Sequence, residues 1–284
     1  MQDYIVSSMM EELDWKHLIS EDDLFRNHYY LQNLPDKQVT CSLLVKSECV
    51  IAGLPYFFGT FQKLKSNLPE LTRLIRENEG KNFSPKQEVF QFELPFNIAL
   101  MGERLALNLL QRASGVATTT SKFVELAKNT NIKILDTRKT TPGLRSLEKY
   151  SVVVGGGHNH RFSQDDAYMI KDNHKSFFGG IKESADFFRA QSSFYKPIIL
   201  EIHDLSEIEI AKEQNIKHLL LDNFSKEDIQ KAISLKGPSM TYEVSGGVTL
   251  DNVKNYLIEG VDAISVGALT HSVKSADISF NIMA

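Results

Sequence analysis

The stretch PIILEIHDLSEIEIAKEQNIKHLLLD, residues 197–222, holds two short apolar runs, PIILEI (197–202) and HLLLD (218–222), separated by a helix-like segment of mixed polarity. A strand, a turn, a helix of three or four turns and a second strand about 20–30 residues further on form the βα unit of a parallel sheet. The same unit extends to both sides, through IKILD (132–136) and AYMIKD (167–172) before it and TYEVSGG (241–247) and AISVGA (263–268) after it. Parallel strands need both faces covered, which leaves an open doubly wound sheet or a closed barrel. The polar or small endings of the runs choose between them: Asp136, Lys171, Glu201, Asp222, Ser245 and Gly267 each stand where an apolar run stops. One or two such endings would be ordinary turn residues, but six suit a barrel, whose strand ends converge on one mouth.

Upstream of this repeat the pattern changes. Residues 4–13 and 64–78 read as helical, and QVTCSLLVKSECVIAG (38–53) reads as strand ending at a glycine. The expected organisation is α/β: an N-terminal α/β sandwich lobe over 1–115, joined by 273–284, and an incomplete, TIM-like α/β barrel over 116–272. The amphipathic segment 97–127 reads as one or two helices broken near Ser114-Gly115. The spacing of Ile98, Met101, Leu105, Leu109 and Leu110 puts Arg104 at the edge of the buried stripe, where spacing alone favours a solvated residue.

Composition narrows the function classes. The 284 residues are 42% apolar and 24% charged with a net charge of -4, an ordinary folded chain without a general attraction to nucleic acid. Between Asp136 and Lys175, however, seven Lys/Arg face five Asp/Glu, and three histidines join them, which suggests a small anionic ligand. Cys41 and Cys49 have neither a disulfide framework nor zinc spacing. No segment reaches the roughly 18 apolar residues of a membrane span, and the acidic N-terminus has no continuous apolar core, so export and anchoring are not expected and the compartment expected is the cytoplasm.

Four motifs carry chemistry. LDTRKTTPGLR (135–145) sets Arg138, a planar fork for a carboxylate or phosphate, beside Lys139, a compact charge. In GGGHNHRF (155–162) the pair His158 and His160 is open to three readings, as metal ligands, as anion binders or as structural residues. Zinc would need a further ligand from Glu201, His203 or Asp222, and Arg161 would repel it, so anion binding is favoured, with the glycines bending the chain at the barrel mouth. Lys171 in MIKDNH (169–174) is either a Schiff-base nucleophile or a fixed charge, and its companions Arg138, Lys139 and Arg161 favour the fixed charge. EVSGGV (243–248), followed by a helix over 249–259, and ISVGAL (264–269) offer backbone N–H groups to a phosphate, while Glu201 and Asp222 suit magnesium or ribose hydroxyls.

Taken together, ERLALNLLQRASGVAT (103–118), DTRKTTPGLRSLEKYSVVVGGGHNHR (136–161), IKDNH (170–174), LEIHD (200–204), LLLDNF (219–224), EVSGGV and ISVGALTHS (264–272) closely resemble the quinolinate phosphoribosyltransferases. The resemblance covers most of residues 100–284 in order, whereas the family's Gly-Asp-Ile-Thr near the start appears only as EDDLFRNH (21–28). It implies transfer of a phosphoribosyl group from 5-phosphoribosyl 1-diphosphate to quinolinate with magnesium, giving nicotinate mononucleotide, diphosphate and carbon dioxide on the route to NAD. It further implies that Arg138, Lys139, His160, Arg161 and Lys171 bind the quinolinate carboxylates and nearby phosphate. Glu201 and Asp222 face ribose and magnesium, directly or through water, and Ser245, Gly246, Gly247, Gly267 and His271 hold phosphate groups. Lys139, Lys171, Glu201 and Asp222 are the residues it marks as catalytic, and Arg104 enters a neighbouring subunit's site, which implies a homodimer or a larger homo-oligomer. His158 is left as structural. The alternatives are a related phosphoribosyltransferase acting on another anionic ring and a barrel that binds a phosphorylated ligand without turning it over.

Overall fold

The computed structural model describes residues 13–15, 18, 32–64, 71–193 and 195–283. Two compact units divide the chain, one of Met1–Ser121, Thr140–Gly156 and Leu269–Ala284, the other of Lys122–Lys139 and Gly157–Ala268. The helical reading of 4–12 and the stretch 21–28 lie outside the described residues.

In the first unit, β1 (Gln38–Val45) is the central strand of an antiparallel sheet, with β4 (Glu88–Pro95) on one side and β11 (Ile278–Met283) on the other, while β2 (Cys49–Val50) and β3 (Asn82–Phe83) form a separate antiparallel pair. Its alternate residues Cys41, Leu43 and Val45 are fully buried, as a half-covered antiparallel strand requires. They meet α1 (Leu54–Lys63), a helix the sequence reading did not single out. Helical periodicity fails there because the segment is buried nearly all round, every residue from Leu54 to Phe61 included. Phe57, Phe58 and Phe61 pack with Phe90, Phe92 and Phe280, Phe57 edge-on to Phe92 at 5.9 Å and Phe61 stacked on Phe280 at 6.1 Å. Cys41 and Cys49 are both free and buried, and burial pushes the Cys49 thiol up to about 11. Of the helix expected at 64–78, α2 spans Leu71–Asn78, and residues 65–70 lie outside the described residues.

The expected break near Ser114-Gly115 does not occur: α3 runs without interruption from Phe96 to Ala127. Both residues are packing devices. Ser114 Oγ donates to Ala52 O at 3.2 Å and accepts from Ala52 N at 3.1 Å, and a Cβ on Gly115 would stand 2.3 Å from Lys274 O. One turn earlier Arg112 forms a buried pair with Glu148 of α4 (Arg145–Val154), Nη2 to Oε1 at 2.6 Å. Arg112 Nη2 also donates to Thr141 Oγ1 at 2.8 Å and Thr270 O at 3.0 Å, while Glu148 Oε2 accepts from Thr141 N at 3.1 Å. The Thr-Thr-Pro-Gly turn is thus tied to two helices through one fully buried carboxylate.

The second unit is a six-stranded parallel sheet of β5 (Lys133–Leu135), β6 (Tyr168–Ile170), β7 (Ile198–Ile202), β8 (His218–Asp222), β9 (Thr241–Ser245) and β10 (Ala263–Ser265). Its order is β5-β10-β9-β8-β7-β6, so each strand after β6 is added beside its predecessor and the last pairs with the first. That wrap-around separates a barrel from a doubly wound sheet, whose order reverses at a switch point. A parallel bridge between Leu135 and His158 adds one residue pair on the free side of β5. His158 contributes through its backbone, its N donating to Ile134 O at 2.8 Å and its O accepting from Asp136 N at 3.1 Å. No ladder joins this segment to β6 among the described residues, and the barrel is incomplete. Helices α5 (Asp172–Phe178), α6 (Ile181–Gln191), α7 (Ser206–Glu213) and α8 (Lys226–Ser234) connect the strands. The helix expected over 249–259 is only a 3-10 turn at Val253–Asn255, because Asn252 accepts from Thr249 N at 2.8 Å and donates to Gly247 O at 2.9 Å, a local turn that competes with a helix.

Two outcomes follow for the first unit. Gly115→Ala has no room for its methyl against a backbone oxygen, and chemical denaturation should show a loss of about 2–4 kcal/mol; unchanged stability would refute the close approach. Glu79 accepts from Gly53 N at 2.7 Å, Leu54 N at 3.0 Å and Tyr150 Oη at 2.8 Å, and burial outweighs these donors to push its carboxyl up to about 7. A carboxyl raised on folding contributes stability that is complete below its unfolded value and is lost as pH rises through about 7. Glu79→Gln should flatten the stability curve between pH 4.5 and 7 by on the order of 1–3 kcal/mol, and identical curves for parent and variant would contradict this.

Candidate active site at the strand ends

Strand register decides which residues meet. Met169 pairs with Ile199, Glu201 with Leu220, Leu220 with Glu243, Asp222 with Ser245, and Ala263 with Glu243. Since partners in a ladder share a face and side chains alternate along a strand, Lys171, Glu201, Asp222, Glu243, Ser245 and Ser265 all lie on one face at its C-terminal end. The opposite face carries Leu200, Ile202, Leu219, Leu221, Tyr242, Val244 and Ile264, each buried to 1% exposure or less. Asp136 does not join the shared face: it is fully buried and its Oδ1 accepts the backbone N–H of His160 at 2.9 Å.

The acidic side of the site centres on His203, a residue the sequence reading raised only as one option for a zinc ligand. His203 Nε2 is 2.9 Å from Asp172 Oδ2 and 3.8 Å from Glu201 Oε1, and its Nδ1 is 3.8 Å from Asp222 Oδ2. Donor atoms of Asp172, Glu201 and His203 lie within 4.8 Å of one another, close enough for one metal ion. Of the expected metal pair, Glu201 belongs to this trio, while Asp222 stands at its edge and accepts from Asn223 Nδ2 at 2.8 Å. The Asp172 carboxyl is held below the usual carboxylate range, first by its bond from Lys175 at 3.0 Å.

Lys171 Nζ donates to Glu201 Oε2. The lysine is the N-cap of α5, where its backbone N–H donates to His174 Nδ1 at 3.0 Å, so the strand end fixes its position. Arg161 donates from Nη1 to Ala167 O at 2.7 Å. Burial, and then the charge of Arg138 beside it, lower the pKa of Arg161 from the ordinary arginine value. Arg138 Nε is buried with no hydrogen-bond partner among the described residues. Lys139, the next residue, stands exposed, its backbone N–H donating to Thr137 Oγ1 at 3.0 Å. The ring of His160 accepts from Arg161 N at Nδ1, 2.7 Å, and faces Glu243 Oε2 with Nε2 at 3.3 Å.

Ser245, Gly246 and Gly247 form the turn after β9. Gly246, at φ 107°, has no room for a side chain, since a Cβ would stand 2.1 Å from Asn223 Oδ1. Gly247, at φ 58°, has open space where its side chain would be, which suits a backbone that receives a ligand closely. Gly267 follows β10 two residues after Ser265, on the same side. Arg104 and His271 belong to the other compact unit. Arg104, on α3, is largely exposed, with Glu103 Oε1 3.9 Å away, and His271 Nδ1 is 2.7 Å from Ser272 Oγ. A groove of about 600 Å³ lies at the opposite ends of β7 and β8, lined by Lys196, Pro197, Lys217 and His218, and contains none of these groups.

In chemical terms, two guanidinium groups able to grip a planar carboxylate belong to the same compact unit as a carboxylate set suited to hydroxyls or a hard cation and a glycine turn suited to phosphate. Comparison with known proteins gives the family. The family model for the quinolinate phosphoribosyl transferase C-terminal domain matches residues 116–281, and that for the N-terminal domain matches 23–114. A probable nicotinate-nucleotide pyrophosphorylase [carboxylating] from Methanocaldococcus jannaschii is 35% identical over 292 residues, 100% of this chain and 99% of that one. The Homo sapiens nicotinate-nucleotide pyrophosphorylase [carboxylating] is 36% identical over 252 residues, 86% of this chain and 82% of its own. The crystal structure of NadC from Streptococcus pyogenes superposes with a TM-score of 0.85 at 33% identity, covering 95% of this chain and 96% of that one.

Proposed function

The chain belongs to the quinolinate phosphoribosyltransferase family, and we propose that it transfers the 5-phosphoribosyl group of 5-phosphoribosyl 1-diphosphate to the quinolinate nitrogen, with loss of one carboxylate, in NAD biosynthesis. The observation that carries this reading is Arg138, whose buried Nε has no hydrogen-bond partner among the described residues, together with Arg161, whose pKa burial and the charge of Arg138 lower. Two adjacent guanidinium groups repel each other, and a doubly anionic ring acid is the kind of ligand that relieves the repulsion. Quinolinate carries two adjacent carboxylates on a pyridine ring. Arg138 and Arg161 grip them, Lys171 adds a third charge, and Lys139 serves the phosphates.

Departure of diphosphate leaves positive charge on the sugar carbon, and the ring nitrogen captures it. The carboxylates of Glu201 and Asp222 face the sugar, where they hold hydroxyls and favour the developing charge. Lys139 stabilises the leaving anion, and the turn of Ser245, Gly246 and Gly247, with Gly267 and His271, holds the phosphate that remains. The pyridinium so formed stabilises, on the adjacent ring carbon, the electron pair left when the carboxylate departs as carbon dioxide, and that carbon then takes a proton from solvent. The arginines position that carboxylate and do not activate it, because an equally tight grip in ground and transition states gives no acceleration.

Magnesium fits the carboxylate oxygens here, since Asp172, Glu201 and Asp222 are hard donors gathered around His203. When bound it supplies charge neutralisation for the diphosphate; Glu201 and Asp222 would hold it, directly or through water. Arg104, exposed on α3, reaches the site of a second copy, and the working form is a homodimer or a larger homo-oligomer. The site of action is the cytoplasm. Among the described residues, no helix is long and apolar enough to cross a membrane.

Incubated with quinolinate, phosphoribosyl diphosphate and magnesium, the protein should release nicotinate mononucleotide and carbon dioxide in equal amounts. Chelation by EDTA should abolish turnover and added magnesium should restore it. Folded protein that forms no product would sink the assignment. Arg161→Ala and Lys171→Ala should each weaken quinolinate binding by tenfold or more, about 1.4 kcal/mol or above, while circular dichroism and the melting temperature stay close to the parent. Calorimetric titration is the check, and an unchanged affinity in either variant would count against the grip described.

A further inference from the structure

His160 stands in a buried polar chain that leads away from the cations. Its side chain is 8% exposed, and that of Glu243, whose Oε2 it faces at 3.3 Å, is 14% exposed. Ser265 Oγ donates to the other carboxylate oxygen, Oε1. On the opposite edge of the ring, Nδ1 accepts the Arg161 backbone N–H at 2.7 Å, and the His160 backbone N–H donates to Asp136 Oδ1 at 2.9 Å. A ring nitrogen that accepts an N–H carries no proton, so the proton of a neutral imidazole lies on Nε2, facing the carboxylate. Both ring nitrogens are thereby engaged by the protein.

We propose that Glu243 is a positioning residue, which, supported by Ser265, locks the His160 ring in its Nε2–H tautomer and so fixes the backbone that carries Arg161. The need for such a strut follows from the topology. Among the described residues the segment 157–161 meets β5 through the bridge at His158 and the bond from His160 N to Asp136 Oδ1, on the free side of that strand, whereas Glu243 and Ser265 belong to the paired strands β9 and β10. The contacts of His160 therefore join a loop with one ladder contact to the interior of the barrel. They hold the backbone from which the Arg161 side chain extends. His160 is then part of the wall that shapes the carboxylate grip.

The catalytic consequence rests on the function proposed above; the tautomer does not, and the two are measured separately. In protein labelled with 15N-histidine, long-range 1H–15N spectra should show His160 with a protonated Nε2 and an unprotonated Nδ1. Glu243→Ala should convert this to averaged nitrogen shifts, and Glu243→Gln, whose amide oxygen still accepts, should retain the parent pattern. Steady-state kinetics should give Glu243→Ala a KM for quinolinate raised about tenfold with kcat changed less than about threefold, and Glu243→Gln should recover most of the loss. A folded Glu243→Ala protein with the parent His160 spectrum overturns the proposal, as does a parent spectrum with the proton on Nδ1. A Glu243→Ala that does not fold leaves Glu243→Gln and the parent spectrum to decide: retention of the Nε2–H pattern in both supports the strut, and its loss in the glutamine variant refutes it. Absence of turnover in the parent, with the spectra as expected, counts against the function alone.

Discussion

The pairing of β10 with β5 is the constraint on which the catalytic unit depends. Only when the last strand lies beside the first do strand ends separated by 130 residues in sequence face one another. Register matters as much as closure. A slip of one residue in β7 or β8 would turn Glu201 or Asp222 towards the outer face, among Leu200, Ile202, Leu219 and Leu221, where an unpaired carboxylate costs several kcal/mol. The apolar outer face therefore specifies the polar inner one: helices that bury the leucines and isoleucines leave the charged residues no other place.

Charge within the site is arranged by opposition. Lys171 is matched by Glu201, and Asp172 by Lys175 and His203, so these groups stabilise one another inside the protein. Arg161 differs: burial and then the charge of Arg138 lower its pKa against the opposing influence of Asp166 and Glu201, and it donates to a carbonyl oxygen of Ala167. A cation so placed is one whose charge an anion would relieve. The acidic set, internally balanced, can receive a cation or hydroxyls without such a gain.

Much of this was legible in the chain because strands buried on both faces are short apolar runs, and their polar endings are conspicuous. Lys171, Glu201, Asp222 and Ser245 were found in that way, and register places them on one face. Asp136 looked like a fifth member but is turned inwards, since the same ending that marks a mouth residue also marks a buried anchor for a following loop. Glu243 was passed over because it lies within a strand and not at its end, and one-dimensional spacing gives no sign of a carboxylate facing a histidine more than 80 positions away. Local breakers misled in the long helix. Ser114 and Gly115 have low helix propensity, and the contacts that compensate for it, with Ala52 and Lys274, lie far off in sequence. The aromatic helix Leu54–Lys63 showed the reverse failure, as burial on every side erases the period that marks a surface helix.

The sheet of the first unit has a bearing on how the chain acquires its form. Its central strand, β1, lies between β4 and β11, and β11 is drawn from the far end of the chain, with Thr40 opposite Met283. During synthesis β1 can pair with β4 at once, but its second edge stays open until the whole barrel has left the ribosome, some 180 residues later at roughly 5–20 residues per second. For that interval an unpaired edge beside a phenylalanine-rich core faces other nascent chains, the situation in which strands join the wrong partner. The barrel, built entirely from successive neighbours until β10 returns to β5, does not share the delay. Maturation thus runs against the order of the chain, with the unit begun first being completed last.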